Sequence, residues 1–254
     1  MEDKKTIFPY LSDKMMYGFG FLGGLLFLVL GSLLYILPLI FIGDSSLNVE
    51  ALLGKITEYQ AFPACACEIL GISVFVIFFR KVFVSDFKDF IKGWKKYLIV
   101  IIVCSALIYG SSYLFEYIYE LFDINTDSAN QESIVQTLFG KGKFAMIFQV
   151  ALIAPIFEEI LFRKFAFGFL RELKLGRVLS FLLVAFVFAL IHCSSENFLR
   201  IDAYVYLLNY FVLSSILTAA YVFCKDNIYA SIIVHMINNV LSLLVVYGVI
   251  NVIV

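Results

Sequence analysis

Charge is scarce in this 254-residue chain: 15% of the residues are Asp, Glu, Lys or Arg, where soluble domains carry about a quarter, and 62% are hydrophobic. That balance excludes an ordinary water-soluble globule and implies a chain made for lipid. Net charge is scarce as well, at −1, so nothing points to a nucleic-acid partner. The signatures of several hydrolase classes are absent: there is no HExxH, no GxSxG and no CxxC. The five cysteines, Cys65, Cys67, Cys104, Cys193 and Cys224, lie in or beside apolar runs, where a thiol packs as a small hydrophobe, and form no disulfide framework. Histidine is scarce, with two copies, His192 and His235.

What is present is a series of apolar runs. Residues 17–42, 61–79, 97–115, 144–162, 178–193, 203–224 and 229–247 approach or exceed the ~20 residues that cross a bilayer as a helix. They predict an all-α, polytopic transmembrane helix bundle of about seven spans, six to eight at the limits, as a single integral membrane domain over 1–254. The polar lead before the first run is too long for a signal peptide, so that run is expected to stay as a membrane helix. The last residues are Val-Ile-Val and form no CaaX box. Fifteen Lys and Arg fall in the N-terminal lead, the 80–96 and 163–177 segments and the 225–228 turn, against four in the alternate connections (Lys55, Lys141, Lys143, Arg200). By the positive-inside rule the N-terminus is cytoplasmic, in a cell membrane. Residues 80–96 read as a basic loop, with Trp94 suited to anionic lipid or a partner, and 116–140 as an acidic solvated loop on the other face.

Ionisable residues inside spans are costly and by default functional, and five stand out: Glu68, Glu158, Glu159, His192 and His235. Glu158 and Glu159 follow Pro155, whose missing amide hydrogen loosens the helix. Arg163, four residues beyond Glu159, is placed to pair with it and leave Glu158 facing a cavity. Phe188 and His192 share one helix face, as do His235 and Asn239. If 144–173 and 178–193 form a hairpin turning near Lys174, Leu175 and Gly176, Glu158 lies level with His192, ~25 Å from the tip. His235 sits only ~10 Å into its own helix, so the tip must protrude for all three to meet. Glu68 has no partner in a motif and reads as an interhelical pairing or interfacial residue. Ser194 and Ser195 follow His192 on the same helix end and lack the geometry of a serine nucleophile with its base.

Three elements in order, EExxxR (Glu158, Glu159, Arg163), FxxxH (Phe188, His192) and HxxxN (His235, Asn239), resemble the signature of the CPBP family, which includes the type II CAAX prenyl endopeptidases and the bacterial Abi-type proteins. The resemblance covers about 144–245, a CPBP-like catalytic core, and leaves the spans of 1–143 without an assigned role. It implies a glutamate peptidase in which Glu158 and His192 activate a water, His235 and Asn239 stabilise the oxyanion, and Glu159, Arg163 and Phe188 support them. Such a site would lie in a hydrated cavity opening toward the cytoplasm. It would cut a membrane-associated peptide or lipidated protein: a bacteriocin or signalling-peptide precursor, or a CaaX-like tail. No cofactor is expected. Zinc held by Glu158, His192 and His235 is the chemical rival, and a non-catalytic immunity or regulatory protein with a membrane partner is the rival of another class.

Overall fold

A computed structural model describes residues 12–34, 61–126 and 128–248. Among them there is no strand, and the chain is an all-α bundle. Among the described residues seven helices follow in order: α1 (Asp13–Leu34), α2 (Ala61–Leu121), α3 (Ala129–Leu138), α4 (Lys143–Glu172), α5 (Arg177–His192), α6 (Ile201–Phe223) and α7 (Ile228–Val246). Five of these, α1, α2, α4, α6 and α7, are long and apolar enough to cross a membrane, and α5 is an apolar helix of 16 residues. The first expected span lies partly, and the connection with Lys55 wholly, outside the described residues.

Two expectations from the charge pattern are corrected. Residues 80–96 are helical, and α2 runs through both apolar stretches, 61–79 and 97–115, with one break at Phe79 (φ −115°, ψ 22°). A straight helix of its 61 residues would be ~90 Å long, about three hydrocarbon thicknesses, so the break and the charged stretch divide it into two apolar lengths. Lys, Arg and Asp on successive turns oppose lipid immersion without opposing helix formation, and no proline interrupts the stretch. Residues 116–140 likewise hold the end of α2 and the whole of α3, which is N-capped by the Ser128 hydroxyl accepting from the Gln131 amide. A polar surface segment can still be helical when it is capped and packed.

Without a hydrophobic drive between helices in lipid, close packing depends on small residues. α1 packs against α4 through Gly20 and Gly24, where an added Cβ would stand 2.1 Å from the Phe165 ring and 2.4 Å from a Leu161 methyl. Phe75, Phe79, Phe157 and Phe165 pack on one another between α2 and α4, and Phe162 packs against Phe188 of α5. The outer faces of α1 and α2 keep large side chains such as Leu26, Leu33, Ile99, Ile102 and Leu107 exposed, as lipid-facing helices do. All five cysteines are free and buried.

α4 is the irregular element. Two π-helical stretches, Gln149–Ile153 and Ile160–Ala166, bracket the short α-helical segment Ala154–Glu159. The Ala154 amide donates to the Gln149 carbonyl, five residues back. By the same register the Val150 carbonyl would take its hydrogen from residue 155, which is proline and has none. In the second stretch all seven residues are buried, which the single inward stripe of a regular surface helix does not achieve. π-Bulges inside α-helices are frequent at functional sites, where they re-aim side chains.

Candidate active site

α4 and α5 form the expected hairpin, turning through Leu173–Gly176 with Lys174 in the left-handed region (φ 63°). Glu158 on α4 and His192, the last residue of α5, thereby become neighbours: Oε2 stands 3.8 Å from Nε2. α7 brings in His235, whose Nε2 is also 3.8 Å from Glu158 Oε2. That oxygen is buried and has no hydrogen-bond partner, flanked by two imidazole nitrogens too distant to bond it.

The two histidines are held differently. His192 Nδ1 lies 2.9 Å from the Phe188 carbonyl, which can only accept, so Nδ1 carries the hydrogen and Nε2 presents a lone pair to Glu158. Phe188 stacks on the same ring at 4.1 Å with a 21° tilt, and Tyr210 of α6 lies on it at 5.0 Å. His235 Nδ1 donates at 2.9 Å to Glu159 Oε1, which also accepts from Arg163 Nη1 at 2.9 Å. The carboxylate holds the His235 ring with Nδ1 as donor and Nε2 turned toward Glu158.

Glu159 and Arg163 are fully buried. Arg163 Nη2 donates to the carbonyl and hydroxyl oxygens of Ser214 at 3.1 and 2.8 Å, and its guanidinium lies 4.7 Å from the Phe188 ring. A continuous connection therefore runs from α6 through Arg163 and Glu159 to His235. Asn239, one turn beyond His235, donates from Nδ2 to the Val150 carbonyl at 2.8 Å, and its own Oδ1 accepts from Asn238. This is the carbonyl that Pro155 leaves without a helical donor.

The expected site residues Glu158, His192, His235 and Asn239 all line one cavity of about 1050 Å³, with Phe188 in its wall; Glu159 and Arg163 lie behind it. Ser194 and Ser195 are exposed in the connection after α5. Three lining residues were not foreseen as part of this site. Tyr210 accepts from Asn130 Nδ2 at 3.2 Å and bonds the Ser128 hydroxyl at 3.1 Å, and no motif or spacing marks it. Gln149 donates from one amide nitrogen to both oxygens of Glu68 at 3.1 and 3.2 Å, the interhelical pairing expected of an intramembrane acid. Both also line the cavity, together with Glu158.

The cavity corrects one expectation. Its walls come from the start of α2, from residues 105–120, from the α3 region and from the far ends of α6 and α7; no residue of 80–96, 163–177 or 225–228 contributes. It opens at the end of the bundle opposite the Lys/Arg-rich connections. A cytoplasmic mouth and a cytoplasmic N-terminus were expected together, and this geometry does not allow both under the positive-inside rule. Distances along helices fix how deep a residue sits but not to which end the helices splay apart.

Fold and site together define a polytopic helical membrane protein with an intramembrane glutamate set between two histidines. Residues 140–241 match the family of Rce1-like type II CAAX prenyl endopeptidases, a match over about two fifths of the chain that contains Glu158, Glu159, Arg163, Phe188, His192, His235 and Asn239. By this match the segment belongs to the CAAX-protease (CPBP) family, and its general class is that of an intramembrane protease of the CAAX type. No curated protein and no solved structure matches the chain.

Proposed function

We propose that the chain is a glutamate-dependent intramembrane endopeptidase that cleaves a membrane-associated peptide or protein precursor. The observation that carries this reading is the unpartnered Glu158 Oε2 at the cavity wall, 3.8 Å from Nε2 of both His192 and His235. That gap is too long for a direct hydrogen bond and short enough for one water to reach across it.

Glu158 takes a proton from that water as its oxygen adds to the scissile carbonyl, and His192, with its lone pair on Nε2, holds the water for the attack. His235, backed by Glu159, presents a protonated Nε2 to the oxygen on which negative charge develops. Asn239 keeps one amide hydrogen beyond the one given to Val150 and can add a second donor. Preorganised donors of this kind act strongly in a water-poor site, where losing one costs about 10²–10³ in rate. The proton on Glu158 then passes to the leaving amine, so water is consumed and one peptide bond becomes an acid and an amine.

Zinc would draw on the same three side chains. The step above needs no metal, and a chelator tells the two chemistries apart. The test is mass-spectrometric cleavage of membrane-anchored peptides by the detergent-purified protein. Cleavage lost in Glu158→Gln and retained with a chelator is the expected result. Abolition by the chelator moves the chemistry to metal. A wild type that cuts nothing across a broad library overturns the peptidase reading in favour of a non-catalytic membrane protein.

A further inference from the structure

His192 is the last residue of α5, and among the described residues its ring makes one hydrogen bond, from Nδ1 to the Phe188 carbonyl of its own helix. Helix ends fray, and a bond back to the preceding turn restrains the ring only as far as that turn is held. Tyr210 comes to it from another helix, α6, with its ring 5.0 Å from the imidazole at a tilt of 36°. The far end of Tyr210 is fixed in turn. Its hydroxyl accepts from Asn130 Nδ2 at 3.2 Å and bonds the Ser128 hydroxyl at 3.1 Å, both at the start of α3, where Ser128 is the N-cap. The same turn is gripped again by Glu196, four residues past His192, whose carboxylate accepts from the Ala129 amide at 2.6 Å. Tyr206, one turn before Tyr210, donates to the Asn125 carbonyl at 2.7 Å just ahead of α3. The end of α5, the wall of α6 and the start of α3 are thus stitched together around His192.

A buried tyrosine usually finds a partner for its hydroxyl simply to avoid leaving it unsatisfied. Tyr210 is half-buried and lines the cavity, as do Ser128 and Asn130, so a water could serve its hydroxyl as well as α3 does. What the two side chains of α3 add is a fixed position for the ring. The orientation of His192 matters because turning its ring by half a turn about Cβ–Cγ exchanges Nε2 with Cε1 and Nδ1 with Cδ2. That removes the lone pair from the gap beside Glu158 and breaks the bond to Phe188. We propose that Tyr210 is a positioning residue for His192: held by the first turn of α3, it keeps the imidazole in the orientation that aims Nε2 at the water beside Glu158. The consequence for rate rests on the peptidase reading, while the orientation of the ring is measurable without turnover.

Full-length protein carrying isotope-labelled histidine, purified without a histidine tag, would be studied in lipid by solid-state NMR, where the chain's two histidines leave two imidazoles to assign. Wild-type His192 should show Nδ1 protonated and Nε2 bare. Tyr210→Leu should split or broaden the His192 signals and leave those of His235 in place, and Tyr210→Phe, which keeps the ring but loses its hold on α3, should fall between. With a membrane-anchored peptide that the wild type cuts, Tyr210→Leu should lower kcat by about 10- to 100-fold and shift KM by no more than about twofold, with a smaller loss of kcat in Tyr210→Phe. Asn130→Ala should lower kcat on its own and add nothing to Tyr210→Phe, because its amide then has no hydroxyl to bond. Where Tyr210→Leu fails to fold, Tyr210→Phe and Asn130→Ala are read by the same criteria. Unchanged His192 signals and kcat overturn the proposal. So do a rise in KM alone, which makes Tyr210 a substrate contact, and parallel changes in both histidines, which make it bundle packing. A displaced His192 in a protein whose wild type cuts nothing keeps the positioning and removes the peptidase; cleavage by the wild type with an indifferent Tyr210→Leu does the reverse.

Discussion

Pro155 and Asn239 are on different helices, yet the structure makes one the reason for the other. Proline at 155 cannot supply the hydrogen that the π-helical register would bring to the Val150 carbonyl, and the Asn239 amide supplies it instead at 2.8 Å. Asn239→Ala therefore strips a partly buried carbonyl of its donor, a loss of about 1 kcal/mol, near the upper part of what interhelical hydrogen bonds are worth in membrane bundles. For a chain of this size that lowers Tm by about 2–4 °C. In a Pro155→Ala background, residue 155 regains an N–H, placed to reach Val150 as Ala154 reaches Gln149. There Asn239→Ala should cost half as much or less, a coupling that a double-mutant cycle in detergent, followed by intrinsic-fluorescence melting, would read directly. Peptide cleavage should fall in all Asn239→Ala forms, because restoring the backbone bond does not restore a donor to the cavity. An equal loss of Tm in both backgrounds would refute the linkage. Full recovery of cleavage with Pro155→Ala would show that Asn239 serves the backbone alone.

Three further outcomes are expected. Arg163→Met leaves Glu159 fully buried without its cation and should cost about 3–5 kcal/mol, seen as loss of folded protein on size exclusion; a wild-type elution profile and Tm would contradict the buried-pair account. Gly20→Val drives a side chain into Phe165 and should destabilise by about 1–3 kcal/mol, whereas Gly110→Ala, with nothing within 4 Å, should melt like wild type. Glu132→Cys should react with an impermeant maleimide in intact cells and Glu172→Cys only after permeabilisation, since the native thiols are buried and the basic end is expected inside. The reverse pattern would put the cavity mouth in the cytoplasm.

The sequence by itself determined which residues meet. Membrane spans require long apolar runs, so the few ionisable side chains within them are conspicuous, and helical spacing with a short turn sets Glu158 level with His192 and Arg163 beside Glu159. Tertiary structure decided how those residues are used. That His235 bonds Glu159, that Asn239 caps the carbonyl freed by Pro155, and that Tyr210 covers His192 depend on contacts among α4, α5, α6 and α7 that no local spacing encodes. The same holds for 80–96, where charge marks the membrane boundary while the backbone, unbroken by proline, stays helical. The direction of the cavity belongs to this second kind of knowledge too. Hydropathy and charge report how each helix meets lipid and water, but a cleft exists only where packed helices diverge, and that is a property of the bundle as a whole.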